Sequence, residues 1–221
     1  MTVQAICDPD QLQKESIRTR GTPRLKYGFL SKTLFYFMDI VYGKRRTLSK
    51  FKVLEVIARV PYQAWESVAY VAMTHTYKHP GFARRIFEFV RESRVQQDNE
   101  QWHLFILEEM VQKKGIRENF FLHRILPQII AFFYYHTSWI LYVIKPSLSY
   151  TLNAHFEDHA EHEYMEFVEE NPEFQSEKFE SEFKDDYGNL QNLADLFRRI
   201  GLDERSHKQE SLSRIINARF A

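Results

Sequence analysis

Cysteine is nearly missing from this chain. Cys7 is the only one, which excludes an intramolecular disulfide framework and fits a reducing compartment. Glycine and proline are scarce too, seven of each in 221 residues, and they gather at a few points instead of punctuating many short strands. Net charge is absent: 30 Lys and Arg balance 30 Asp and Glu, so no global field draws the chain to nucleic acid. An apolar leader is missing as well. MTVQAICDPD carries Asp8 and Asp10 and no apolar run, resembles neither a secretory signal nor a transit peptide, and sets the expected mature start near Met1.

What is present is long and helical. Gly43, Pro80-Gly81, Gly115, Pro146, Pro172 and Gly188 divide the chain into six stretches, near 25–42, 46–77, 82–113, 117–145, 148–170 and 189–218, with few alternating β-branched runs to compete. Residues 172–188 are polar and acidic, and read as a surface loop. Residues 1–24 read as a poorly ordered N-terminal arm, and 25–221 as a single domain. An all-α fold follows, with a ferritin-like four-helix core and two further long helices packed beside it.

Charge is placed unevenly along this neutral chain. Residues 11–52 hold 11 Lys and Arg against Glu15 and Asp39, whereas 155–186 hold 13 Asp and Glu against two lysines. The basic run is suited to anionic lipid, and the acidic run to cations or to plain solvation. FLHRILPQIIAFFYYHTSWILYVI is the most apolar stretch and approaches the roughly 20 residues that cross a bilayer. Arg124, Pro127, Gln128, His136, Thr137 and Ser138 interrupt it, so a buried core helix and insertion into one leaflet both precede a full span as readings. LKYGFLSKTLFYFMDIVYG mixes lysines with Leu, Phe and Met, the composition of a helix lying in the lipid interface. A monotopic membrane protein is expected.

The polar residues within the helices carry the chemistry. Glu100-x-x-His103 and Glu204-x-x-His207 are the two acid-x-x-His pairs in the sequence; at this spacing both side chains of a pair reach one inward point of a helix. Chance alone supplies roughly one such pair in a chain of this composition. Two on separate helices match half of a dinuclear carboxylate site, which also needs one Glu from each of two other helices. Glu55, flanked by Val53, Leu54, Val56 and Ile57, needs a partner or a metal to be buried there. Glu66, three turns on, competes with it. Glu157 is the candidate on the fifth stretch, with Asp158, Glu161 and Glu163 as alternatives. His155, His159 and His162 look metal-like, and their spacing also suits an exposed polar stripe. Four carboxylates and two neutral imidazoles would balance two divalent ions.

Four segments then resemble one family, the alternative oxidases, in its plastoquinol terminal oxidase branch and in a short form such as a cyanobacterial or phage-encoded member. LEVIARVPY at 54–62, NEQWHL at 99–104, FEDHAEHEY at 156–164 and NLADLFRRIGLDERSH at 192–207 are similar to its four motifs, in its order and on separate helices. The resemblance implies two iron ions held by Glu55, Glu100, His103, Glu157, Glu204 and His207. It implies Tyr164 as the tyrosine near the cluster, Asn99 and Asp203 orienting the histidines, and Lys50 and Tyr150 beside the quinol. Lys50 stands where the family has arginine, which loses a bidentate fork; Tyr150 resembles the plastoquinol branch, where the mitochondrial branch has histidine. An apparent insertion at 74–80 and a short acidic loop are further departures. The implied activity is oxidation of plastoquinol or a related quinol, with O₂ reduced to water and no proton pumping. A homodimer docked on one leaflet of a thylakoid or plasma membrane, on its cytoplasmic or stromal side, is the implied setting. A hydroxylase or desaturase acting on a lipid-soluble substrate, or a non-catalytic metal-binding helical protein, would use the same ligands.

Overall fold

The structure, a computed structural model, describes residues 8–216. Cys7, the start of the expected N-terminal arm and the end of the last expected helical stretch lie outside the described residues. Among the described residues nine α-helices run in order: α1 Pro9–Arg20, α2 Phe29–Tyr42, α3 Leu48–Ala58, α4 Val60–His75, α5 Pro80–Lys113, α6 Leu126–Ile144, α7 Pro146–Glu170, α8 Lys184–Tyr187 and α9 Leu193–Ile216. The all-α expectation holds: among the described residues the only strand-like pairing is one isolated bridge, Lys178 to Asn192. The described residues divide into two compact units, residues 8–47 with Ala154–Ser213, and Leu48–Asn153 with residues 214–216.

Local chemistry explains the boundaries. Pro61 has no N–H for the carbonyl of Ile57, so the expected stretch 46–77 breaks at Arg59 into α3 and α4. Pro127 likewise denies a donor to His123, and the chain ahead of α6 widens into a π turn, Phe121–Ile125. Gly115, at φ +61°, ends α5. There Ile116 N donates to Val111 O at 3.1 Å and Gly115 N to Gln112 O at 3.0 Å, the paired bonds of a Schellman cap.

Two expectations need correction. The arm is not simply disordered, because residues 9–20 form α1, capped by Asp8, whose carboxylate accepts from Gln11 N at 3.3 Å. Leu12, Ser16 and Thr19 bury one face of it. The acidic segment 172–188 is more than a surface loop: it includes a 3₁₀ turn at Pro172–Gln175 and α8, and buries Phe174, Phe179 and Tyr187.

In the unit that starts at Leu48, the core packs Tyr62, Trp65, Ile86, Phe89, Tyr142 and Tyr150. Trp65 Nε1 donates to Ser149 Oγ at 2.8 Å, and Ser149 Oγ donates to Ser138 O at 3.0 Å, so the indole is buried with its polar atom satisfied. In the other unit Phe167, Phe174 and Phe197 pack ring on ring at 5.0 to 5.2 Å. α9 approaches α7 at Gly201, where a Cβ would meet Met165 Cε at 2.8 Å and Glu161 O at 3.4 Å.

The most apolar stretch has two distinct faces. Pro127, Ala131, Tyr134, Ser138 and Tyr142 recur every three or four residues and turn inward. Phe132, Phe133, Ile140, Val143 and Ile144 are exposed. Among the described residues no helix is long and apolar enough to cross a membrane.

Candidate metal centre

Each unit contains one set of two buried carboxylates and one buried imidazole brought close together. In the unit starting at Leu48, the buried stripe of α5 runs Ile86, Phe89, Val90, Ser93, Gln96, Glu100, His103, Ile106 and Met110. Glu100 and His103 therefore occupy core positions of a helix that is otherwise lined by apolar and small polar residues. Glu55 comes from α3, 2 % exposed. His103 Nδ1 lies 3.5 Å from Glu55 Oε2 and 3.5 Å from Glu100 Oε2.

The other unit repeats the composition. Glu157 continues the buried face of α7 between Ala154 and Tyr164, and Glu204 and His207 follow Ile200 on the buried face of α9. His207 Nδ1 lies 3.9 Å from Glu204 Oε2. Within each set of three, one ligand atom per residue lies within 4.8 Å of the others.

These donors fit iron. Oxygen and imidazole nitrogen suit a first-row divalent ion, and donors sharing an ion at about 2.1 Å stand roughly 3 to 4 Å apart. Two carboxylates close together in a dry interior repel each other and lose hydration, and a divalent cation offsets both costs. Each set of three holds two carboxylates, the charge of one such ion.

The competing acids are engaged elsewhere. Glu66 receives Arg94 Nε at 2.9 Å. Glu163 pairs with Arg24 NH2 at 2.8 Å and Arg46 Nε at 3.0 Å. Asp158 accepts from Leu25 N at 2.8 Å and Tyr27 Oη at 2.9 Å, and Glu161 from Thr19 Oγ1 at 2.7 Å and Arg205 Nε at 2.8 Å. Burial alone would raise the Glu161 carboxyl, but Lys208 and Arg205 hold it below its ordinary value. The three histidines are not an exposed stripe. His155 faces Ser31 Oγ at 3.1 Å, His159 stacks on Phe35 at 4.0 Å, and His162 contacts Thr22 O at 3.0 Å.

Of the accessory positions, Tyr164 is fully buried and stacks on Phe197 with centroids 6.2 Å apart. Asp203 accepts from Tyr187 Oη at 2.8 Å and pairs with Arg199 NH2 at 2.8 Å. Asn99 is half-buried directly before Glu100. Lys50 is buried on α3, and Tyr150 lies in the aromatic core with its hydroxyl 3.2 Å from that of Tyr142. Sequence reasoning missed Lys52, buried on α3 with Nζ 2.9 Å from Glu108 and also bonded to Glu118; its position three before Glu55, on the same helix, was the available signal.

The alternative oxidase family model matches residues 14–213. The chain belongs to the alternative oxidase family. Among curated proteins, the chain is 34% identical over 140 residues to an Arabidopsis thaliana protein named Ubiquinol oxidase 4, chloroplastic/chromoplastic, covering 63% of this chain and 36% of the relative. It is 23% identical over 130 residues to the same plant's Ubiquinol oxidase 2, mitochondrial, covering 59% and 33%. The aligned stretches thus span about a third of each relative's length. The plastid protein is the more similar of the two, in line with the motif resemblance.

Proposed function

We propose that this member of the alternative oxidase family is a di-iron quinol oxidase that oxidises plastoquinol or a related quinol and reduces O₂ to water without pumping protons. The observation that carries the reading is the matched pair of buried sets, Glu55, Glu100 and His103, and Glu157, Glu204 and His207, within a chain of this family. In this reading residues 25–221 are a single oxidase domain and the six residues hold two iron ions. Bound iron would supply the electron transfer to O₂ that amino acid side chains cannot perform.

The protein's own groups then have defined tasks. The carboxylates neutralise the cluster and hold it in a dry interior. Asp203 and Asn99 orient the histidines; Asp203 is itself fixed by Arg199 and Tyr187. Tyr164, buried two turns after Glu157, holds a phenolic proton beside the centre. Lys50 and Tyr150 contact the quinol head group. Quinol reaches the centre from lipid, because the exposed faces of α2 and α6 carry Phe29, Tyr36 and Ile40, and Phe132, Phe133 and Ile140. A homodimer resting on one leaflet of a thylakoid or plasma membrane completes the reading.

Product analysis under ¹⁸O₂ tests it against a hydroxylase or desaturase. An oxidase puts the label in water and converts quinol to quinone; label in an organic product, or a new double bond in a lipid, selects the other chemistry.

A further inference from the structure

A charged residue directly follows each candidate ligand on α7 and α9. Asp158 follows Glu157, Arg205 follows Glu204 and Lys208 follows His207. All three meet in one network around Glu161, which is 2 % exposed and one turn beyond Glu157. Glu161 Oε1 accepts from Arg205 Nε at 2.8 Å, and Oε2 is bonded by Lys208 Nζ. Lys208 Nζ also donates to Asp158 Oδ1 at 2.9 Å. Helix α1 closes the far side: Thr19 Oγ1 donates to Glu161 Oε1 at 2.7 Å, Arg205 NH2 donates to Glu15 O at 3.0 Å, and Arg205 also bonds Thr19 and the Glu15 carboxylate.

Asp158, Glu161 and His162 bring their own ligand atoms within 4.8 Å of one another, which invites reading them as a third metal site. The charges argue otherwise. Lys208 and Arg205 already supply two positive charges to these carboxylates, and the His162 ring nitrogens lie 2.8 Å from Asp158 O and 3.0 Å from Thr22 O. The network is an internal clamp.

We propose that Glu161 is a positioning residue for the metal centre: by holding Arg205 and Lys208 it sets the register of α9 against α7, with α1 completing the clamp. This rests on Glu157, Glu204 and His207 being ligands. A guanidinium presents its donors in a rigid fork, so its bonds define direction as well as distance. Buried ion networks are better at fixing register than at adding stability. Gly201, one turn before Glu204, removes the Cβ that would hold the two helices apart. Ligand geometry must be held to within roughly 0.5 Å, and the clamp fixes the helices at the residues adjoining the ligands.

The test is cobalt(II) binding to metal-free full chain, followed by absorption in competition with a chelator, with far-UV circular dichroism and thermal melting of the metal-free protein alongside. Glu161→Gln keeps the shape and removes the charge; the expected loss of cobalt affinity is about 10- to 100-fold. Thr19→Val, which leaves every ion pair in place, should lose affinity in the same direction by a smaller factor. Arg24→Gln cuts ties to α7 at His159, Glu163 and Glu166 but adjoins no ligand, and should leave affinity unchanged. A helical Glu161→Gln protein that binds cobalt like the parent overturns the proposal, as does an equal loss in Arg24→Gln. Should Glu161→Gln not fold, Thr19→Val decides, and parental affinity there overturns the clamp. A parent that binds no cobalt overturns the ligand reading and the clamp with it.

Discussion

His103 Nδ1 stands 3.5 Å from Glu55 Oε2, an imidazole of α5 against a carboxylate of α3, both buried. Folding has brought together two groups 48 positions apart whose hydration is lost and whose charge needs a cation. Metal removal should therefore destabilise the protein. With metal at one hundred times its dissociation constant, binding adds about 2.7 kcal/mol, so chelation should lower the melting temperature of the parent. Glu100→Ala should show little or no response to chelator, and should be no less stable than the metal-free parent because one buried carboxylate is gone. Calorimetry with and without chelator checks both.

Acid should loosen the acidic face of α7. Burial pushes the Glu163 carboxyl up, but His159, Arg46 and Arg24 outweigh it and hold the group below its ordinary value of 4.5. A carboxyl lowered in the folded state stabilises fully above the unfolded value, and that stability is lost as pH falls through the folded value. Urea midpoints measured from pH 7 down to pH 3 should fall below about pH 4.5, with a shallower fall in Glu163→Gln.

Lys52 holds Glu108 at 2.9 Å and also bonds Glu118 from a side chain 3 % exposed. Lys52→Met should cost about 3 kcal/mol, because Glu118 loses this cation in a largely buried site while Glu108 keeps Arg124 at 2.8 Å. Adding Glu108→Gln and Glu118→Gln should recover much of that loss. Denaturant unfolding of the single and triple variants measures the difference.

The outward face of α6 should bind lipid. Replacing exposed Phe132, Phe133 and Ile140 with serine removes side chains that contribute roughly 1.5 to 3 kcal/mol each when fully buried. Cosedimentation with anionic vesicles should drop by at least tenfold while helix content stays unchanged.

Helices with a strong apolar period were legible in the sequence, and so were the acids and histidines that the fold buries close together. Glu100 and His103 stand out because they interrupt an apolar stripe at the spacing that converges on one point. α1 was not legible, since its buried face is Leu12, Ser16 and Thr19, and two small polar residues in three give no hydrophobic signal. Phe174, Phe179 and Tyr187 each stand alone among acids, so the segment 172–188 reads as solvated although it is anchored. The break at Arg59 was visible in principle through Pro61, but the surrounding apolar residues favoured one long helix. The uneven charges became clear only in three dimensions: Arg20, Arg24 and Arg46 of the basic run pair with Glu169, Glu163, Glu166 and Glu170 of the acidic run. Lipid and solvent were the partners expected from sequence, and part of each run is instead the partner of the other.

The most direct measurement is oxygen uptake by iron-loaded protein supplied with decyl-plastoquinol, run beside a Glu100→Ala/Glu204→Ala double variant. Quinol-dependent, cyanide-insensitive uptake that disappears in the double variant is the predicted result. Two irons bound per chain without quinol-dependent uptake, or uptake that survives in the double variant, would contradict the oxidase account.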